Sequence, residues 1–310
     1  MERYKYRDVL FSTDDSLEHL CLEKNSSSII GILRLIIGTA DCRDDVLGIT
    51  HVFRINYCQF PCEMRDNIER QFLCDVFGDD SENLTLAELN QYFKNSQYTN
   101  RKFFHVIEEE LIRCLIADLQ QHYLVAFIHL YRLMEAVSYS YPLLYTSHSK
   151  DYQGTYTLLQ KYFKNDGAGE LKFFSNFIKS TYHTNEFYNT LIEIDFNLIE
   201  NETLRTYYFQ FFKGLAADIS SDSHFVIDDD SLIVKISFLN FFELLITLRN
   251  RYFHLAQGAE SKKNHSSIMI PDPNLWFSLY MPGGIYWIST MLLKLIEHDL
   301  DKMYRSAPRV

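Results

Sequence analysis

The sequence predicts a mainly α-helical protein with a small mixed α/β module at its N-terminus. Two observations predict this class. From residue 98 onward apolar residues recur at helical spacing, whereas residues 1–97 contain an apolar β-branched run and a stretch of period-two alternation. Apolar residues make up 47% of the 310 residues and include 24 Phe and 21 Tyr, which is enough for a substantial core. The polar segment NSQYTN at residues 95–100 is the predicted boundary between an accessory module, 1–97, and a helical domain, 98–310.

The accessory module is predicted to contain two paired strands and two short helices. The apolar run at 26–37 and the alternating residues 49–57 are the predicted strands, joined by the turn-rich residues 38–45. A short apolar run also suits a buried helix, so the first strand has that alternative. The helices are predicted at 66–77 and 84–93.

The helical domain is predicted to consist of a series of amphipathic helices. Their ranges are 103–119, 123–141, 156–163, 170–182, 184–195, 202–217, 236–257 and 284–304. Pro142 is predicted to end the second of them, because a proline inside a helix removes a hydrogen bond and clashes with the preceding turn. Connections are predicted at 146–154, 165–169, 219–231 and 258–265, with 276–280 extending the last.

Charge, hydropathy and cysteine usage exclude several classes of protein. A net charge of -11 argues against a generic nucleic-acid coat, although a local grip on RNA stays open where Arg249, Arg251, Lys262 and Lys263 cluster. No apolar run approaches the ~20 residues of a membrane span, and no signal-peptide apolar region follows the N-terminus. All six cysteines lie in the first 114 residues and are expected to be reduced thiols, so we expect a soluble, cytoplasmic protein.

Residues 236–257 form the segment with the strongest chemical signal. Apolar side chains cover most of the circumference of the predicted helix, which must therefore be buried on several faces. One polar stripe remains at helical spacing, and it consists of Asn240, Glu243, Thr247, Asn250, Arg251, His254 and Gln257. Polar groups in a buried wall need partners or a ligand, because each unpaired group costs ~1–3 kcal/mol.

Three residues of this segment, Arg249, Asn250 and His254, occur in the order R-N-x-x-x-H. This pattern resembles the signature of the HEPN superfamily, a large group of helical-bundle proteins of which many are RNases. The setting is also similar, because the family carries the motif late in a long helix that precedes a loop and a further helix. The resemblance implies a HEPN-like antiparallel helical bundle and an endoribonuclease that needs neither a metal nor another cofactor.

The three motif residues suit cleavage of RNA by its own 2′-hydroxyl. His254 would take and give protons near neutral pH. Arg249 would hold the phosphate and offset the charge that develops on its oxygens, and Asn250 would orient the imidazole or bond a ribose or phosphate oxygen. The products would carry a 2′,3′-cyclic phosphate and a 5′-hydroxyl.

Further polar residues are candidates to support this site or to bind RNA. They are Arg251 and Glu243 on the motif helix, and Arg132 and Glu135 on the predicted helix 123–141. In the family a polar or acidic residue from a neighbouring helix often supports the motif, which is why Glu135 is included. The structural alternative is that Arg132 and Glu135 pair with each other on the surface.

Arg249 lies about 140° from His254 on a regular helix. The two side chains converge only if the arginine wraps round the helix, if the helix distorts, or if the cleft is shared between subunits. The family resemblance implies the last, a homodimer whose two motifs line one composite cleft, and the nearly all-round apolar helix agrees with a subunit interface. A helix buried in a monomeric bundle would have the same composition.

The resemblance also implies a role as a toxin or an anti-phage defence effector that cuts tRNA or other cellular RNA, under control of a regulatory partner or antitoxin. A non-catalytic helical module that binds a nucleotide or a protein partner is the alternative, and a toxin linked to a nucleotidyltransferase is a third. Other chemistries have little support. A zinc site at His51, Cys58, Cys62 and Cys74 matches no common ligand spacing, and the sequence has no phosphate-binding glycine loop.

Overall fold

A computed structural model of the chain describes residues 3–7, 22, 27–64, 91–95, 98, 100–148, 151–163, 170–182, 190–219, 225–253 and 269–304. The protein is mainly α-helical and carries small antiparallel sheets. The chain divides into two compact units, a first unit of Met1–Ile116 with Ser289–Val310 and a second unit of Ala117–Ile288. The domains predicted from composition, 1–97 and 98–310, stay a prediction.

The described residues of the first unit form two small sheets and several helical segments, which include residues 91–95 and the part of the last helix from residue 289 to 304. In chain order its elements are β1 (Tyr4–Arg7), α1 (Ser28–Ile36), β2 (Asp41–Asp44), β3 (Ile49–Val52), β4 (Ile55–Asn56), β5 (Glu63–Met64) and α2 (Arg101–Leu119), whose last three residues belong to the second unit. Strands β1, β2 and β3 form an antiparallel sheet in that order, so β1 is an edge strand. Strand β4 pairs with β5.

The strand predicted at 26–37 is wrong, because this segment contains helix α1. Every residue from Ile29 to Ile36 is buried, so the helix has no polar face from which a helical period could be recognised. The strand that pairs with β3 is instead β2, in the segment predicted as a turn, where polar residues carry no strand pattern. The strand prediction at 49–57 is confirmed in β3 and β4. The helix predicted at 66–77 and the start of that at 84–93 lie outside the described residues, and residues 91–95 are helical.

Helix α1 packs closely against β1 and α2 at Gly31. The Tyr6 hydroxyl donates to Glu108 Oε1 at 2.8 Å beside this glycine. A Cβ atom on residue 31 would lie 1.9 Å from the same carboxylate oxygen. A side chain at residue 31 would therefore require the Glu108 carboxylate to move from its place beside Tyr6.

The second unit has a three-stranded sheet and a group of helices. In chain order its elements are α3 (Tyr123–His148), α4 (Tyr152–Phe163), α5 (Glu170–Tyr182), β6 (Leu191–Asp195), a short 3-10 turn (Phe196–Leu198), α6 (Glu202–Ile219), β7 (Phe225–Asp228), β8 (Ile233–Ser237), α7 (Phe238–Phe253) and α8 (Pro273–Ser278). Helix α9 (Met281–Tyr304) begins in this unit. The predicted helices at 103–119, 156–163, 170–182, 202–217 and 284–304 are confirmed as α2, α4, α5, α6 and α9.

The sheet of the second unit contradicts the sequence-based prediction at three places. Strand β8 lies between β6 and β7 and is antiparallel to both. The helix predicted at 184–195 is therefore wrong from residue 191, the connection predicted at 219–231 contains β7, and the motif helix begins at Phe238 rather than 236. Strands of four or five residues present too few positions to show period two clearly against a helical background.

Pro142 does not end its helix, and that prediction is wrong. Helix α3 continues six residues beyond the proline to His148. Tyr141, beside the proline, is fully buried and its ring lies 6.2 Å from that of Phe174 on α5. Packing of this kind offsets the cost of an internal proline, about 3 kcal/mol.

The core of the second unit fixes the start of α7. Helix α7 follows β8 without an intervening residue, and the Phe238 amide donates to the Thr190 carbonyl at 2.9 Å. The buried indole of Trp287 donates to the Phe238 carbonyl at 3.1 Å and stacks on Phe242 at 5.0 Å. Phe174 contacts the same Phe242 ring edge-on at 5.2 Å. The sheet and this aromatic cluster together set the direction in which α7 carries its polar end.

Candidate functional site

Arg249 and Asn250 lie in the last turn of α7 and are both half-buried. Arg249 Nη1 donates to Asn250 Oδ1 at 3.1 Å. Neighbouring side chains on a helix point about 100° apart, so this hydrogen bond turns the long arginine side chain round the helix toward Asn250. The arginine therefore wraps toward Asn250. Because His254 is not among the described residues, the convergence of Arg249 and His254 stays a prediction.

Tyr131 on α3 forms the other side of the arginine site. The Arg249 guanidinium lies 4.6 Å from the centroid of the Tyr131 ring, and Tyr131 is only 7% exposed. Burial raises the pKa of Tyr131 above its usual value, the Arg249 charge opposes this shift, and the Glu135 charge adds to it. The arginine is therefore held between an aromatic face and an amide oxygen, an arrangement that restricts its movement.

Tyr131 is not among the site residues predicted from the sequence, because a tyrosine at helical spacing usually belongs to the core. A signal was present in the spacing of Phe127, Tyr131 and Glu135, which recur every four residues and so share one face of α3. Phe127 packs against Phe277 of α8 at 4.4 Å. The ring of Phe277 is also in contact with Tyr252 at 5.2 Å. This aromatic contact fastens the end of α7 beside α3 and α8.

Glu243 is placed differently from the other predicted site residues. Its carboxylate accepts a hydrogen bond from Ser175 Oγ at 2.7 Å and pairs with Lys179 Nζ at 2.7 Å. Both partners lie on α5. The polar stripe of α7 therefore has two described parts, an inner part that joins α7 to α5 through Glu243 and an outer part at Asn250, to which Arg249 bonds from outside the stripe.

The remaining predicted residues are distributed around this outer part. Glu135 acts on Tyr131 through its charge, and Arg132 and Glu135 are both exposed on α3. Arg251 is half-buried and lies two residues beyond Arg249, about 200° further round α7. His254 lies outside the described residues. The structure thus brings Arg249, Asn250 and, through Tyr131, Glu135 into one group.

No three His, Cys, Asp or Glu side chains group as metal ligands do in the part of the chain that the structure describes. His51, Cys58 and Cys62 belong to that part and Cys74 does not, so the zinc alternative has no assembled ligand set among the described residues. The four described cysteines form no disulfide with one another. Over the same ranges, no helix has both the length and the apolar character that crossing a bilayer requires.

Comparison of the chain with protein-family models, with curated proteins and with solved structures finds no match. The functional assignment therefore depends on the motif residues and on the geometry around Arg249.

Proposed function

We propose that this protein is a metal-independent endoribonuclease of the HEPN type. The observation that carries the proposal is the position of the Arg249 guanidinium, which is bonded to Asn250 and stacked on Tyr131 at the end of α7 that leads directly to His254. A guanidinium held in place in this way suits a phosphate, because its charge and its donors need no rearrangement when charge develops on the phosphate oxygens.

Each motif residue has a distinct role in the proposed reaction. His254 takes the proton of the ribose 2′-hydroxyl, and the freed oxygen attacks the adjacent phosphorus. The bond from phosphorus to the 5′ oxygen breaks, and that oxygen leaves with a proton given by an acid. Arg249 stabilises the phosphate oxygens, and Asn250 positions the guanidinium and the imidazole. The products are a 2′,3′-cyclic phosphate and a 5′-hydroxyl.

Residues of the neighbouring helix position this group. Tyr131 limits the directions in which the Arg249 guanidinium can point, and the exposed Glu135 acts through its charge on Tyr131. Arg251 and Arg132 supply positive charge near the same end of α7 for the RNA backbone. Glu243 acts at a distance from the chemistry by fixing α7 to α5.

The proposed biological role is that of a toxin or anti-phage defence effector in the cytoplasm, which cuts tRNA or other cellular RNA and is controlled by a partner such as an antitoxin. A homodimer with a composite cleft is part of this proposal. Seven residues of α7 are buried within the chain's own fold, so the apolar composition of the helix is accounted for without a partner. The dimer therefore depends on the family resemblance alone.

Cleavage of total RNA in EDTA tests the proposal. The wild-type protein is compared with His254→Ala and with a matched control, His122→Ala, which removes an exposed histidine between α2 and α3. We expect the wild type and the control to cut at equal rates. The rate of His254→Ala should be lower by a factor of about 10² or more. The new 3′ ends should carry cyclic phosphate. Equal cleavage by all three folded proteins, or by none of them, would remove the enzyme proposal.

A non-catalytic binding module is the second candidate. The observation in its favour is that Arg249 is already bonded to Asn250 and that Tyr131 covers the guanidinium, as in a structural polar contact. In that case RNA or a nucleotide would bind without being cut, and His254→Ala would leave binding unchanged.

A further inference from the structure

A large polar cavity lies in the first unit, beside the edge strand β1. Its volume is about 1140 Å³, and it is bounded by β1, by the start of α1 and by the first turns of α2. Six of its lining residues are Lys or Arg and three are Asp or Glu, in a chain whose net charge is -11. The cavity is thus a local concentration of positive charge in an acidic protein, and nothing in the proposed ribonuclease chemistry uses it.

The acidic residues of the cavity are already engaged by neighbouring groups. Asp45 pairs with Lys5 Nζ at 2.5 Å. Glu108 accepts the Tyr6 hydroxyl at 2.8 Å, and Glu109 pairs with Arg113 at 3.3 Å. Glu108 keeps its charge, because the Tyr6 hydroxyl is neutral, and Arg3 pairs with Asp44 at 2.6 Å. The six Lys and Arg of the cavity therefore face its three acidic residues and Asp44, and the cavity keeps a net positive charge.

Three cations of the cavity have no ion-pair partner among the residues that the structure describes. They are Arg7 on β1 and Arg101 and Lys102 in the first turn of α2, and all three are exposed. The first turn of α2 contains no acidic residue. Because the N-terminus of a helix is the positive end of its dipole, two adjacent cations there destabilise the free protein, and a bound anion would reverse that effect.

A buried hydroxyl at the second helix start points to a ligand independently. Ser27 occupies the N-cap position of α1 and lines the cavity, yet its hydroxyl does not cap the helix. Ser27 is 6% exposed, and its Oγ has no hydrogen-bond partner in the described part of the chain. A buried hydroxyl without a partner costs about 1–3 kcal/mol, which an acceptor such as a phosphate oxygen in the cavity would recover.

We propose that this cavity binds a small molecule that carries two or more phosphates, of the nucleoside di- or triphosphate class. The phosphates would be bound by Arg7, Arg101 and Lys102, with the N-terminus of α1 and the Ser27 hydroxyl as further donors. The volume exceeds what one inorganic phosphate fills and suits a nucleotide. Its lining residues include none of the α7 motif residues, and its ligand binding does not depend on RNA cleavage.

Calorimetric titration of the full chain with ATP tests the site, and the His254→Ala protein is used so that an RNA competitor is not cut during the measurement. The site variant is R101A/K102A, and the control is K94A/K235A, which removes the same charge from positions outside the cavity. Lys94 is exposed, and Lys235 is half-buried and pairs with Glu193 at 2.6 Å. We expect the control to bind ATP as the parent does and the site variant to bind about 10- to 100-fold more weakly. Ser27→Ala should weaken binding several-fold.

Three further probes identify the ligand chemistry. Inorganic tripolyphosphate should compete with ATP, and adenosine should not.

Without ligand, R101A/K102A should unfold at the same temperature as the parent or higher, because it removes like charges from the start of α2. The proposal is overturned if neither ATP nor tripolyphosphate binds at millimolar concentration, if R101A/K102A binds like the control, or if a short RNA oligonucleotide displaces ATP and binds more tightly, which would make the cavity an RNA groove.

Discussion

At the scale of single residues, the contacts of the Arg249 guanidinium with Asn250 and Tyr131 determine where a phosphate could bind at the motif. The sequence predicts Arg249, Asn250 and His254 as a group, and the structure supplies the contact that a helical projection does not contain, the turn of Arg249 toward Asn250. It also supplies Tyr131, whose four-residue spacing from Phe127 and Glu135 places it on one face of α3 but does not distinguish it from a core tyrosine. Side-chain direction of this kind depends on tertiary neighbours and therefore cannot be derived from spacing along one helix.

Substitutions at Tyr131 separate the contribution of its ring from that of its hydroxyl. Tyr131→Phe keeps the face on which Arg249 stacks, so RNA cleavage should remain within about threefold of the wild type. Tyr131→Leu removes that face, and a desolvated cation–π contact is worth up to about 2 kcal/mol, so the cleavage rate should fall about tenfold. Rates at saturating RNA are measured for both variants. An equal loss in the two variants would assign the effect to the hydroxyl and contradict this role for the ring.

Asp118, near the end of α2, gives a pH-dependent stability. Burial raises its pKa from 3.8 to about 6. Between these values the folded state binds more protons than the unfolded state, so the contribution of this group to stability is lost as pH rises from about 4 to about 6.

The variant Asp118→Asn lacks the carboxylate and should not show that loss. Relative to the wild type, its free energy of unfolding should rise between pH 4 and pH 7 by at most about 3 kcal/mol. Urea unfolding of both proteins at the two pH values measures this difference. A difference that is the same at pH 4 and pH 7 would show that Asp118 titrates normally in the folded protein.

At the scale of elements, the long amphipathic helices are predictable and the short or uniformly buried elements are not. Helices α5 and α6 are confirmed because polar and apolar faces alternate over several turns. Helix α1 is buried on all sides and shows no such alternation. Strand β6 has five residues, and it is a strand because β8 pairs with it from a distant part of the chain. Pairing partners far along the chain leave no local pattern.

Glu243 illustrates how one element positions another. Loss of its bonds to Ser175 and Lys179 in Glu243→Ala should lower the free energy of unfolding by about 1–3 kcal/mol. Glu243→Gln keeps an acceptor for Ser175 and should cost less. Denaturant unfolding measures both effects, and the cleavage rate per folded molecule should change little. A large loss of rate with unchanged stability would instead place Glu243 in contact with RNA.

At the scale of the whole molecule, the proposed homodimer makes a quantitative prediction. If Arg249 of one subunit serves His254 of the other, a heterodimer of Arg249→Ala and His254→Ala subunits contains one intact site. Statistical mixing of the two inactive proteins should then restore roughly a quarter of the wild-type cleavage rate.

The control for this experiment is each variant mixed with itself, which should stay inactive. Subunits must be unfolded and refolded together so that they exchange. Absence of any recovery in a mixture shown to contain heterodimers would mean that Arg249 and His254 act within one subunit, and the composite cleft would be excluded while the ribonuclease proposal would stand.

Helix α7 follows β8 directly, so the sheet fixes the rotation of α7 about its axis and with it the face on which Arg249 lies. With no linker between Ser237 and Phe238, one inserted residue would rotate everything after it by about 100° and advance it by about 1.5 Å. Arg249 would then leave the face of Tyr131. Changes of chain length should accordingly be tolerated in the turn at 229–232, before β8, and not at the junction that follows it. The direction of the Arg249 side chain is therefore fixed by the β7–β8 hairpin, which ends some twelve residues before it, because the regular helix α7 connects the two.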